Sequence, residues 1–160
     1  MEAMRCLALS IGLLLVLGMA GCGSSGTSST PAACLEPASH YLTALRAAPA
    51  EVRLDGSTAI SDCFSGTQGA GDQATVGKTV IEAATGLNAR ARRAPGGETT
   101  VQLGYLDGAV HEGASHASGV DADLVRRLDT AARFNPGGRS PGAAFERAFG
   151  KGYAAGEATG

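Results

Sequence analysis

The sequence predicts an all-α fold, a compact bundle of about five helices, on three observations. Apolar residues recur at spacings of three and four, as on one face of an α-helix, at Val76, Val80, Ala83, Leu87 and Ala91. Clusters of proline and glycine separate such segments. The alternation of apolar and polar residues that is typical of β-strands occurs only in two short segments, 52–56 and 99–106, and the residues around them favour turn or helix.

The first two predicted elements are short. Pro37 suits the first turn of a helix that carries Tyr41 and ends before Pro49. A second short element holds Ile60, Cys63 and Phe64. Residues 65–71 then form a loop that is rich in glycine, serine and threonine.

Two long helices are predicted next. Asp72 is a typical N-cap residue, and the helix that follows it is predicted to end at Arg93. The positive charge of the last turn interacts favourably with the helix dipole. After a break at Pro95, another helix runs from about Thr99 to Ser118.

The last two helices follow a similar pattern. One opens at Val120 and continues to Phe134, before a break that contains proline and two glycines. Ser140 and Pro141 then combine an N-cap with the proline favoured at the first helical position. On this helix, an aromatic stripe is expected to pack in the core; it consists of Phe145, Phe149 and Tyr153. We expect the helix to fray beyond residue 156.

The N-terminal 21 residues have the pattern of a signal peptide. The apolar run Leu7–Met19 is too short for an ordinary membrane-spanning helix. Arg5 supplies a positive charge before it, and two small residues, Ala20 and Gly21, follow it. Residues 1–21 are therefore predicted to direct export and to be removed.

The residues Met19-Ala20-Gly21-Cys22 resemble a bacterial lipobox, in which leucine, a small residue and glycine or alanine precede cysteine; here methionine replaces the leucine. The resemblance covers only this N-terminal segment. It implies that the Cys22 thiol receives a diacylglyceryl group and that cleavage makes Cys22 the first mature residue. The alternative is an ordinary secretory signal, cut at Ala20 or Gly21, which leaves an unmodified thiol.

The other cysteines fit an exported protein. Of the four, Cys6 leaves with the signal peptide, so Cys34 and Cys63 remain as an even pair beside Cys22. A disulfide between them closes a loop of about 30 residues, which the chain-entropy model values at roughly 3 to 4 kcal/mol. The alternative is two separate buried thiols.

The mature chain divides into a tether and one domain. Residues 22–33 form a lipidated cysteine and a flexible linker of glycine, serine and threonine, and residues 34–157 form the helical domain. The formal net charge is −2, so we expect no nucleic-acid partner. We expect two partners instead: the membrane, through the lipid, and an envelope protein.

One histidine motif resembles a zinc-protease motif without matching it. The segment HEGASH places His111 and His116 five residues apart, whereas His-Glu-x-x-His places them four apart. On a helix, five residues correspond to a divergence of roughly 140°. No single metal is therefore expected to join both histidines, and no cofactor is predicted.

Asp107 and His111 lie four residues apart beside the apolar face of the same helix. One interpretation is an ion pair or hydrogen bond at the margin of the core. The other is a ligand-binding site that also uses Tyr105, Ser115 or residues of another helix. Gly104 and Gly108 lie off the apolar face, so they either face solvent or let a second helix approach closely, and we expect the close approach. Gly152 and Gly156 suit the same kind of contact.

Signatures of common enzymes, such as a nucleophile elbow, a phosphate loop or a dinucleotide fingerprint, are absent from the sequence. The sequence therefore favours a non-catalytic binding or scaffolding module, held as a lipoprotein on the extracytoplasmic face of an envelope membrane. The alternative is a small-molecule or metal-binding domain centred on His111, with a hydrolase less favoured.

Overall fold

The structure, a computed structural model, describes residues 29–64, 66, 68–115 and 120–160. These residues form a compact all-α bundle without strands, as predicted. The five α-helices of this part are α1 (Ala38–Ala44), α2 (Ala70–Ala91), α3 (Glu98–Ser115), α4 (Val120–Arg133) and α5 (Ala143–Thr159). The predicted signal peptide, the predicted lipidation site Cys22, and His116 lie outside the described residues. None of the described helices combines the length and apolar character needed to cross a membrane.

Helix α3 lies at the centre of the bundle, in contact with α2, α4 and α5. Every residue from Leu103 to Val110 is buried, so neighbours cover α3 on all sides of two successive turns. The polar residue in this segment, Asp107, is therefore buried as deeply as its apolar neighbours.

Helices α3 and α5 touch main chain to main chain through four glycines, Gly104, Gly108, Gly152 and Gly156. A Cβ atom added at any of the four would lie under 3.0 Å from backbone atoms of the opposite helix. The expected close approach of a second helix is therefore confirmed.

A disulfide joins Cys34 and Cys63, as predicted, with 5.4 Å between their Cα atoms. Cys34 belongs to the 3-10 helix Ala32–Leu35 and Cys63 to the 3-10 helix Ser61–Phe64. The Tyr41 hydroxyl donates to the Cys34 carbonyl oxygen at 2.9 Å. The disulfide thus connects the start of the domain to a segment that packs on α3.

Two predicted helix starts are wrong by two residues or more. Helix α2 begins at Ala70, with Gly69 as its N-cap, so Asp72 lies inside the first turn, where its charge still suits the dipole. Helix α5 begins at Ala143, with Gly142 as its N-cap. The Ser140 hydroxyl lies 3.5 Å from the carbonyl oxygen of Pro141 and makes no cap contact with the helix.

The expected fraying of the C-terminus is also wrong. Helix α5 continues to Thr159, whose hydroxyl lies 2.8 Å from the hydroxyl of Tyr105. The Ser61 hydroxyl donates to the carbonyl oxygen of Gly160. These tertiary hydrogen bonds hold the last residues in place. At the other end, Ala33 is already buried, just before the predicted domain boundary.

Candidate functional site

Three polar side chains meet where α3 packs against α4, and we call them the acid-histidine cluster: Asp107, His111 and Asp129. The first two lie one turn apart on α3, and Asp129 comes from α4. Nε2 of His111 lies 3.1 Å from Oδ1 of Asp129. One nitrogen or carboxylate oxygen from each residue lies within 4.8 Å of the other two. Two candidate residues of the sequence analysis are thus joined by a third.

Asp129 could not be assigned from the sequence. It follows the buried Leu128, so the sequence places it beside the apolar face of α4. Its contact with His111, however, depends on the angle and register at which α4 crosses α3. No local spacing specifies that arrangement.

Asp107 is the most deeply buried member of the cluster, with 1% of its surface exposed. Its Oδ1 atom has no hydrogen-bond partner among the described residues. Burial and the nearby Asp129 carboxylate raise the pKa of Asp107 to about 7, although His111 and Arg133 act in the opposite direction. Asp107 is thus a carboxyl group for which the fold provides too few hydrogen-bond donors.

The other two members of the cluster reach solvent. The side chain of His111 is 30% exposed, and that of Asp129 is 41% exposed. On the α5 side, the ring of Tyr153 packs edge-on against His111, with 5.4 Å between ring centroids. The cluster is therefore closed around Asp107 and open at His111 and Asp129.

Arg133 is a positive group near the cluster, and α5 holds it in place. Its guanidinium donates to a carboxylate oxygen of Glu146 at 3.2 Å. The same group lies over the ring of Phe149, 4.5 Å from its centroid. Its charge is thus partly compensated by Glu146.

Tyr105, the third candidate residue of the sequence analysis, lies apart from the cluster. It is fully buried, and its hydroxyl accepts a hydrogen bond from the Val52 amide at 3.1 Å. Its second neighbour is the Thr159 hydroxyl. Ser115 donates to the Glu112 carbonyl oxygen of its own helix at 2.7 Å. The hydrogen bonds of these two side chains are therefore structural.

A second surface feature is a groove between α2 and α4 with a volume of about 510 Å³. Apolar side chains line its floor, Phe134 stands at one end with 57% of its surface exposed, and arginines line its rim. We call this feature the α2–α4 groove; its lining residues are Ile81, Thr85, Asn88, Ala89, Arg92, Arg126, Arg127, Thr130, Ala131 and Phe134. A second cavity of about 610 Å³ shares Ile81 and Arg127 and extends the groove toward the start of α2.

The chemistry of the acid-histidine cluster suits binding a cation or moving a proton, because it combines two carboxylates with an imidazole. Acyl transfer would require a nucleophile next to the imidazole, whereas the hydrogen bond described for His111 is to the Asp129 carboxylate. No protein-family model, curated protein or solved structure matches this chain.

Asp107→Asn should flatten the pH dependence of stability. Because the folded pKa of Asp107, about 7, exceeds the ordinary value of 3.8, the folded state binds the extra proton between these limits. The contribution of Asp107 to the free energy of unfolding is therefore fully present below about pH 4 and is lost toward pH 7, by at most about 1.4 kcal/mol per pH unit for one proton. Urea unfolding across this range, in a chelator, measures the slope.

Asp123→Asn, which removes an exposed carboxyl group of α4, is the matched control and should keep the wild-type slope. An identical slope in Asp107→Asn and the wild type would contradict the assignment to Asp107.

Proposed function

We propose that this chain is a bacterial lipoprotein, anchored by lipid on Cys22, whose helical domain binds a protein partner on the extracytoplasmic face of an envelope membrane. Its role is non-catalytic. The lipobox-like residues before Cys22 support the anchor. A diacylglyceryl group supplies two acyl chains, which hold a protein to a membrane far more durably than one.

The observation that carries the proposed location is the buried disulfide between Cys34 and Cys63. Disulfides form and persist in oxidising compartments outside the cytoplasm. With Cys6 in the signal peptide, this pairing leaves Cys22 for the lipid. Residues 23–29 contain no charged side chain, which suits a flexible tether, and Thr30 is already buried, close to the 3-10 helix Ala32–Leu35 that begins the folded domain.

The α2–α4 groove is the proposed binding surface for the protein partner. Arg92 and Arg127 make it a basic surface on a chain of net charge −2, whereas the third arginine, Arg126, is paired with Asp123. The Arg92 guanidinium lies 5.8 Å from the ring centroid of Phe134. Exposed aromatic rings beside arginine are typical of the residues that dominate interface energetics. The complementary partner is an acidic protein segment with apolar side chains.

Metabolic labelling tests the anchor. Cells given a clickable fatty acid should incorporate the label into the wild-type protein and not into Cys22→Ala, because the substitution removes the acceptor thiol. Cys6→Ala, which changes a cysteine within the signal peptide, should remain labelled. Equal labelling of the wild type and Cys22→Ala would refute the anchor.

Peptide binding tests the groove. A fluorescent peptide of glutamate and phenylalanine should bind the detergent-solubilised wild-type protein, measured by anisotropy, whereas its lysine counterpart should not. Arg127→Glu should weaken binding of the acidic peptide at least about fivefold, since it places like charges together. Arg147→Glu makes the same charge change on an exposed residue of α5 and should leave affinity unchanged. Equal binding of both peptides, or equal losses in the two variants, would contradict the proposal.

A further inference from the structure

We propose that Asp107, His111 and Asp129 together bind a divalent transition-metal cation, for which Zn²⁺ is the probe. The site lies where α3 meets α4, whereas the partner-binding groove lies between α2 and α4. Metal binding is thus a further property of the domain, independent of the proposed protein partner.

The distances within the acid-histidine cluster are close to those of a metal site. Zinc bonds to imidazole nitrogen and carboxylate oxygen are about 2.0 to 2.2 Å long, so ligand atoms around one tetrahedral ion lie about 3.5 Å apart. The His111 nitrogen and the Asp129 oxygen are 3.1 Å apart, and all three candidate ligand atoms lie within 4.8 Å of one another. Small rotations of the side chains therefore suffice to bring the three atoms around one ion.

The unpartnered oxygen of Asp107 points independently to a cation. Its residue is 1% exposed, and among the described residues nothing donates a hydrogen bond to it. A buried carboxylate beside a second carboxylate is unfavourable unless positive charge compensates it. A proton shared between Asp107 and Asp129 relieves the repulsion by neutralising one of the two carboxylates. A cation would compensate both carboxylates.

The donor set favours a transition metal over magnesium or calcium. Magnesium and calcium prefer sites built from oxygen alone, whereas imidazole combined with carboxylates suits zinc and its first-row neighbours. Two carboxylates balance the charge of a divalent ion. Arg133 adds nearby positive charge, and its pairing with Glu146 partly offsets that effect. Three protein ligands leave a coordination position for water or another ligand.

The proposed site uses one histidine of the HEGASH motif together with the aspartate one turn before it. Asp107 and His111 have the four-residue spacing that directs two ligands to one side of a helix. The third ligand comes from α4, so the proposed site has no need of His116. The motif HEGASH therefore contributes one ligand, and the aspartate one turn earlier contributes another.

Calorimetric titration of the detergent-solubilised full chain, first stripped with a chelator, tests the site. Zn²⁺ should bind the wild type at one ion per chain and raise its melting temperature. His111→Gln and Asp129→Asn should each weaken binding at least about tenfold, since even residues that only support a ligand commonly have effects of this size. His40→Gln, which removes a histidine of α1, should bind as the wild type does.

Two further measurements distinguish a variant that fails to bind metal from one that fails to fold. Asp129 is 41% exposed, so Asp129→Asn should melt near the wild-type temperature without metal and should lose only the shift that Zn²⁺ produces. Co²⁺ should give visible absorption bands in the wild type that are lost in His111→Gln. Absence of saturable Zn²⁺ binding, preference for Mg²⁺ or Ca²⁺, or unchanged binding in Asp129→Asn would each overturn the proposal.

Discussion

The rest of the structure depends on the contact between α3 and α5, in which the two helical backbones meet at four glycines. Gly104 and Gly108 face one side of this contact, and Gly152 and Gly156 face the other. Glycine costs about 1 kcal/mol in a helix interior relative to alanine, so four of them require a compensating gain. Extended van der Waals contact between the two backbones provides that gain. Such packing suits a chain with 4% aromatic residues, which offers few large side chains to fill a core.

The same contact explains why the candidate site lies where it does. Because α5 covers one side of α3, while α2 and α4 cover others, the middle of α3 is buried all round. A polar residue there must be buried too, and Asp107 is. Helix α5 also brings Tyr153 against His111 and Glu146 to Arg133. The electrostatic character of the acid-histidine cluster therefore follows from the way the helices pack.

The sequence predicts the local features of this protein better than the contacts between its helices. Helical periodicity and proline breaks locate the long helices, and glycines at four-residue spacing indicate the close contact, because each is a property of one segment. The N-caps are predicted less well: the sequence suggests Asp72 and Ser140, whereas the N-cap residues of α2 and α5 are glycines. Asp129 and the arginine rim could not be predicted, because each acquires its role only when α4 packs on its neighbours. The lipobox-like residues, by contrast, form a contiguous stretch of sequence, so the proposed lipid anchor is predicted without reference to any fold.

Unfolding free energies of two alanine variants of α5 test the central role of the glycine contact most directly. Gly150 has open space where a Cβ would lie, whereas a Cβ at Gly152 would meet the α3 backbone at Val101. Gly150→Ala should raise the free energy of unfolding by up to about 1 kcal/mol, through helix propensity alone. Gly152→Ala should lower it by about 2 kcal/mol or more, because the backbones must separate. Equal stabilisation by both substitutions would show that α3 and α5 do not meet through their glycines, and would contradict this account of the fold.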